Sequence, residues 1–223
     1  MSIGRRVLSV ALVAASLALG GCATSRSEVK IASPAAGPGE TQAASNGRTV
    51  VIRSVKDERS FQQAPSNPSI PSLGFEGAGK ASDEIKSRAI GRKRNAYGQA
   101  LGDVLLQNGQ TVEGLVRENL GTAFQRAGYR VVPEGSAGAN PLIVDARIKQ
   151  FWSWLQPGFW AMTLNANVET TLQLSGAANA VPVNVHVTES RQLATENVWV
   201  EIVEKALAQY RIETASKVAG PPF

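Results

Sequence analysis

Two adjacent segments in the second half of the chain, 141–155 and 160–174, constrain the fold most. In both segments apolar and polar residues alternate. Because successive side chains of a strand point to opposite faces, this alternation predicts two strands that each bury one face. The turn residues Gln156-Pro157-Gly158 lie between them and indicate an antiparallel hairpin. Alternating valines in 181–187 predict a third strand.

Two other segments have the periodicity of helices that lie on a core. In 110–127 the apolar residues recur at intervals of three and four. Thr111 is the expected N-cap of this helix and Gly128 its C-terminal stop. A second helix is expected over about 195–217, with Trp199 on its buried face.

The first half of the chain gives weaker signals. A β-branched run at 48–55 predicts a strand, and 129–132 predicts a short one. The proline- and glycine-rich segment 61–79 and the basic segment 91–102 read as irregular, and 83–88 as one helical turn.

These elements predict an α+β fold with the order β-α-β-β-β-β-α. One apolar face per strand and one apolar stripe per helix indicate a two-layer sandwich, with two helices packed on one face of a mixed four- to five-stranded sheet. The other face of the sheet is expected to lie in water. Residues 48–217 are expected to form a single domain, followed by a tail at 218–223.

The N-terminus has the pattern of an export signal. Arg5 and Arg6 precede the apolar segment 7–19, and two glycines precede Cys22. The apolar segment is shorter than the roughly 20 residues that a membrane-spanning helix needs. We therefore predict that 1–21 is a cleaved signal peptide. An ordinary secretory signal with an incidental cysteine is the alternative.

The segment Leu19-Gly20-Gly21-Cys22 resembles the lipobox of bacterial lipoproteins. This resemblance implies that the Cys22 thiol carries a diacylglyceryl group and that, after cleavage, its amine carries a further acyl chain such as palmitate. The next residue is Ala23 and not the aspartate that retains lipoproteins in the inner membrane, so the resemblance favours the outer membrane, with the protein facing the periplasm. Residues 22–47 are rich in small residues and are expected to be a flexible linker behind the lipid.

Three short motifs accompany this signal. They are Asp57-Glu58-Arg59 after the first strand, Ala89-Ile90-Gly91, and Gly128-Tyr129 at the end of the first helix. Together with Cys22, they resemble the YajG-type family of uncharacterised bacterial lipoproteins. The resemblance implies an envelope lipoprotein and no known chemistry.

Catalysis finds little support in the sequence. His186 is the only histidine and lies on the polar face of its predicted strand, so a catalytic triad or a histidine metal cluster is not expected. Cys22 is the only cysteine, and its lipidation leaves no thiol. We expect that the protein is not an enzyme and that it has no catalytic residue, no cofactor and no metal site. The net charge of +5 falls to +3 without Arg5 and Arg6, and we expect no nucleic-acid partner.

The tip of the predicted hairpin is unusually rich in aromatic residues, namely Phe151, Trp152, Trp154, Phe159 and Trp160. Strict alternation would place Trp152, Trp154 and Trp160 on the buried face and Phe151 on the polar face. One interpretation is that the inward residues cap the end of the core. The other is an aromatic platform that contacts a membrane or a partner protein, since tryptophan favours surfaces that are apolar on one side and wet on the other.

The basic cluster Arg92-Lys93-Arg94 is the second candidate surface. It is either a solvated loop or a contact for an anionic group such as a lipid phosphate or an acidic partner.

Two functions therefore remain open. The first is a non-enzymatic interaction or assembly module that is tethered to the outer membrane and binds an envelope protein. The second is an accessory subunit of an envelope transport system that handles a lipid or another apolar ligand. A deep apolar cavity between sheet and helices would favour the second, and a filled core the first.

Overall fold

The computed structural model describes residues 25–34, 43–95, 97–158, 160–192 and 197–219. The predicted signal peptide, Cys22 and Phe159 lie outside the described residues, as does most of the predicted tail.

The described residues form three helices and a single mixed sheet of eight strands. In chain order the elements are β1 (Ser27–Val29), β2 (Thr49–Asp57), α1 (Asp83–Arg88), β3 (Ala89–Arg94), β4 (Ala100–Leu106), α2 (Val112–Arg126), β5 (Arg130–Val131), β6 (Leu142–Pro157), β7 (Met162–Leu174), β8 (Val181–Arg191) and α3 (Asn197–Val218). The α+β class is confirmed, but the prediction of four to five strands is wrong.

The predicted hairpin is confirmed and forms the framework of the sheet. β6 and β7 pair antiparallel from Val144 opposite Leu174 to Pro157 opposite Met162. β8 then pairs antiparallel with β7 along most of its length. Alternation along the chain identified all three strands, because each has one face in the core.

The other edge of β6 is shared between two groups of strands. Its first half pairs in parallel with β2, and β5 pairs with the far side of β2. Its second half pairs in parallel with β3 through Gly91 and Ser153, and β4 and β1 follow outward. A Cβ at Gly91 would lie 2.8 Å from the carbonyl oxygen of Ser153, so this close approach of β3 to β6 requires glycine.

Helices α2 and α3 pack on one face of the sheet, as predicted. The Thr111 hydroxyl accepts a hydrogen bond from the backbone N–H of Gly114 at 3.1 Å and so caps α2. Gly128 ends this helix with a φ of +88°. Phe124, Trp199 and Tyr210 are buried against Val144 and its neighbours on the strands. Each such large side chain contributes about 1.5–3 kcal/mol through its burial.

A β-bulge between Ile148 and Gln150 reverses the faces of β6. Before the bulge, even-numbered residues such as Ile148 face the helices; after it, Phe151 does so. Trp152 and Trp154 consequently lie on the opposite face of the sheet. The placement of Trp152 and Trp154 on the helix side by strict alternation is therefore wrong.

The opposite face of the sheet is not left in water at this position. The segment between β2 and β3 folds over it and contributes Phe61, Leu73 and Ile85 to a second apolar cluster with Trp152 and Trp154. The indole N–H of Trp152 donates to the carbonyl of Pro68 at 3.1 Å. The segment 61–79, which was predicted to be a loop, thus covers this face of the sheet. We call this segment the cover.

Two segments that were predicted to be irregular contain strands. β1 lies inside the predicted linker 22–47, and that prediction is wrong for Ser27–Val29. β3 from Gly91 onward and the start of β4 lie inside the basic segment 91–102.

Candidate functional site

The structure separates the aromatic residues that the sequence groups at the hairpin tip. Phe151 is buried in the main core, and Trp152 and Trp154 are buried in the second cluster. Trp160 is 85% exposed, because β7 begins only at Met162. Phe159 lies outside the described residues. Phe151, Trp152 and Trp154 therefore do not form an exposed platform, and Trp160 is the surface residue among the four described members of this group.

The basic cluster Arg92-Lys93-Arg94 belongs to β3 and not to a solvated loop. The Arg92 Nε donates to the carbonyl of Leu101, and Lys93 Nζ donates to the carbonyl of Ser25, both at 3.3 Å. Burial lowers the pKa of Arg92 and Arg94 from 12.5, although both guanidinium groups remain charged at neutral pH.

Arg94 closes the turn after β3. Its Nη1 donates to the carbonyl of Gly98 and its Nη2 to that of Pro65, each at 2.9 Å. The cluster thus joins the β3–β4 turn, the cover and the N-terminal segment at one corner of the sheet.

The N-terminal segment 25–34 is fixed to this corner. β1 pairs in parallel with β4 from Ser27 opposite Val104 to Val29 opposite Leu106. Ile31 is fully buried. The amide of Gln110 accepts from the Ile31 N–H at 3.1 Å and donates to the Ile31 carbonyl at 2.7 Å. The alternation of Ser27, Val29 and Ile31 with charged residues was the sequence signal for this strand.

Asp103, a fully buried carboxylate on β4, connects the N-terminal segment to the cover. Its Oδ2 lies 3.1 Å from the Nε of Arg26, and its Oδ1 accepts from the backbone N–H of Gly74 at 2.7 Å. The Nε of Arg92 is 4.0 Å away. A buried carboxylate is stable only with such partners.

Arg59, from the motif Asp57-Glu58-Arg59, has a fully buried side chain under the cover. Its Nε and Nη2 bind the Asp57 carboxylate, its Nη1 donates to the carbonyls of Ala89 and Phe151, and its Nη2 also donates to that of Lys86. These contacts engage all five guanidinium N–H groups. Arg59 therefore fixes β2, α1, β3 and β6 together and has no donor left for a ligand.

The cleft beside Arg59 has a volume of about 360 Å³ and is open to solvent. Its walls include charged residues such as Asp83, Lys86 and Glu113. It is therefore not an enclosed apolar cavity of the kind that a lipid carrier needs.

His186 projects from β8 over the aromatic cluster. Its ring stacks on Trp154 at a centroid distance of 5.6 Å, and its Nε2 lies 3.3 Å from the Oδ1 of Asn165. Within the described part of the chain, histidine, cysteine and acidic residues form no group of three or more that could hold a metal ion. Across the same residues, no helix is both long and apolar enough to cross a membrane.

One edge of the sheet is formed by β8, whose eleven residues pair, among the described strands, with β7 alone. Pro182 has no N–H, and its carbonyl accepts from Lys217 Nζ at 2.6 Å, so the backbone of this residue faces away from β7. Since this direction alternates along an antiparallel strand, the backbone groups of Asn184, His186, Thr188 and Ser190 face outward too. Sequence alternation identified the strand, and Pro182 was the signal for its edge position.

Comparisons with known proteins give distant likenesses only. No protein-family model and no curated protein matches the sequence. A protein of the DUF330 family from Xanthomonas campestris is 14% identical over 87% of this chain and 91% of its own, with a TM-score of 0.46. A homologue of the neuraminyllactose-binding hemagglutinin from Helicobacter pylori is 10% identical over 85% of this chain and 94% of its own, with a TM-score of 0.35.

A lipoprotein from Neisseria meningitidis is a further structural neighbour. It is 8% identical over 73% of this chain and 96% of its own, with a TM-score of 0.29. Because all three TM-scores are below 0.5, these likenesses assign neither a family nor a function to the chain. The resemblance to the YajG-type family stays a prediction.

Proposed function

We propose that this protein is an envelope lipoprotein, tethered through a lipid on Cys22 to the periplasmic side of the outer membrane, and that it acts as a non-enzymatic interaction module. The lipobox-like segment before Cys22 supports the tether. The position of β1 supports it as well, because this strand begins five residues after Cys22 and joins the tether directly to the sheet.

The observation that carries the interaction role is the edge of β8. A strand edge with outward-facing N–H and C=O groups is a template for pairing with a further strand. Among the contacts of the described residues, this edge of β8 is occupied only at its start, where Lys217 donates to the carbonyl of Pro182. The side chains of Asn184, His186 and Thr188 on the same residues are exposed. The partner is an extended, polar segment of another envelope protein, which pairs with 184–190.

The alternative role as a lipid carrier has no comparable support. The strand face under α2 and α3 is filled by side chains such as Ile148, Phe124 and Tyr210, all fully buried. The cleft beside Arg59 is open and charged.

The test exchanges Thr188 for proline in the full-length lipidated protein. Proline removes an N–H that faces outward, so the ladder with β7 is kept while the partner strand loses a hydrogen bond. Thr188→Ala is the matched control, since it changes the side chain and keeps the N–H. We expect a photo-activated cross-linker at Asn184 to capture a partner in the control and to capture at least tenfold less in Thr188→Pro, with equal melting temperatures. Equal capture in both variants would contradict strand pairing at this edge.

A further inference from the structure

Several features gather at one end of the sheet. β3 runs parallel to β6 and is joined to the antiparallel β4 by the turn 95–99, so this turn lies at the same end as the turn between β6 and β7. β1 runs parallel to β4, so the chain before Ser27 also approaches this end. The contact of Lys93 Nζ with the carbonyl of Ser25 confirms that direction.

This end carries large exposed aromatic side chains. Tyr97 in the β3–β4 turn is 91% exposed, and Trp160 in the β6–β7 turn is 85% exposed. Phe75, in the cover, is 65% exposed and lies under the guanidinium of Arg26 at 4.4 Å. Its φ of +59° is uncommon for a residue other than glycine. Among the described residues, the only other large apolar side chain with comparable exposure is Ile212 on α3.

The charge at this end is positive. The sequence has no acidic residue in 85–102, in 146–168, or between Cys22 and Ser27. Arg26, Lys93 and Arg94 lie there, and Arg26 shares the buried carboxylate of Asp103 with Arg92. The nearby acidic side chains are also paired, Glu76 with Lys80 and Glu189 with Arg191 and Lys205. Trp and Tyr beside cations are typical of surfaces that rest at the level of lipid headgroups.

The short chain between Cys22 and Ser25 indicates that the exposed aromatic and basic residues at this end face the membrane. Three peptide units span at most about 11 Å, so a lipid on Cys22 holds Ser25 and Lys93 close to the bilayer surface.

We propose that this end of the sheet, with Trp160, Tyr97 and the cations around Ser25, docks on the surface of a bilayer that contains anionic phospholipids. This orientation rests on the proposed lipid anchor at Cys22. It places the indole of Trp160 and the phenol of Tyr97 at headgroup depth and the strands upright on the membrane. The open edge of β8 then stands clear of the bilayer for its partner.

The test uses quenching of tryptophan fluorescence by brominated lipids. The full-length lipidated protein is placed in vesicles of brominated phosphatidylcholine, with or without phosphatidylglycerol. Trp160 is the one exposed member of the chain's four tryptophans, and Trp152, Trp154 and Trp199 are at most 6% exposed. We expect quenching of wild type that increases with phosphatidylglycerol, that disappears in Trp160→Ala and that persists in the control Ile212→Ala.

Fatty-acid labelling of Cys22 in the same preparation separates the two levels of the proposal. If the protein is labelled but wild type and Trp160→Ala are quenched equally, the docking is overturned and the tether stays intact. Quenching that does not depend on phosphatidylglycerol would overturn the role of the cations. Unlabelled protein would overturn the tether, and the docking with it.

Discussion

Arg59 shows how one charged residue can join elements that are distant along the chain. Its guanidinium lies between β2, α1, β3 and β6 and satisfies three backbone carbonyls as well as Asp57. Asp103 has the same role on the other side of the cover, where it holds Arg26 and Gly74. Both residues are polar groups in apolar surroundings, so their partners determine whether their burial stabilises the fold.

Replacing Arg59 by methionine should destabilise the protein strongly. Methionine keeps the aliphatic length but removes the donor to the carbonyls of Ala89 and Phe151. The Asp57 carboxylate loses the guanidinium and keeps only the backbone N–H of residue 59. Removing one member of a buried ion pair costs about 3–5 kcal/mol. We expect a loss of this size in the free energy of unfolding measured with urea. Arg59→Lys, which keeps the charge but fewer donors, should lose less. A loss below about 1 kcal/mol for methionine would contradict the role assigned to Arg59.

Asp145 should make stability depend on pH in the acid range. The side chains of Arg53 and Ser54 donate hydrogen bonds to its carboxylate and lower its pKa from 3.8 to about 2. Because the folded state holds the charged form, this stabilisation is present above pH 4 and is lost as the pH falls through about 2. Its size is limited to about 1 kcal/mol, since the ion pair is partly exposed to solvent.

The measurement compares urea midpoints of wild type and Asp145→Asn at several pH values. We expect wild type to be the more stable at pH 6 and the difference to shrink between about pH 4 and pH 2. Asp83→Asn, at an exposed position on α1, is the control and should follow wild type throughout. A difference for Asp145→Asn that stays constant down to pH 2 would show that the Arg53 pair does not contribute.

At the scale of elements, β6 shows what the sequence predicts and where its prediction ends. The alternation from Leu142 onward predicted the strand and its hairpin partner, because these depend on neighbouring residues. The turn begins later than predicted, since Gln156 and Pro157 still belong to β6. The faces of Phe151, Trp152 and Trp154 could not be predicted, because the bulge after Ile148 shifts the alternation by one residue. Of the two interpretations left open there, burial holds for Phe151, Trp152 and Trp154, while Trp160 is exposed.

β1 and β3 escaped prediction for a different reason. β1 has three residues and exists only through pairing with Val104–Leu106, far along the chain. β3 has the cations 92–94 in succession and a glycine at its closest contact, so its composition is that of a loop. Its strand conformation comes from pairing with β4 and with Ser153 of β6. Tertiary contacts of this kind override local propensity.

At the scale of the whole molecule, these missed strands change the boundary of the domain. The sequence predicted a domain that starts at residue 48 behind a flexible linker. Instead, Val29 and Ile31 are buried in the main core, and Arg26 pairs with the buried Asp103. Residues 25–34 are therefore part of the folded domain, and β1 within them is a strand of its sheet.

A chain that starts at Arg48 should accordingly be less stable than one that starts at Ser25. Both lack Cys22 and the signal, so the comparison isolates the N-terminal segment. Its loss exposes the surface under Val29 and Ile31, where each side chain contributes about 1.5–3 kcal/mol by burial. The entropy regained by the unfolded chain offsets part of this. We expect the shorter chain to fold, since β6, β7 and both long helices remain, but with an unfolding free energy about 2–4 kcal/mol lower in urea. Ile31→Ala in the longer chain should reproduce a large part of the difference. If the two chains unfold at the same urea concentration, residues 25–34 do not stabilise the sheet, and a lipid on Cys22 would hold the domain without orienting it.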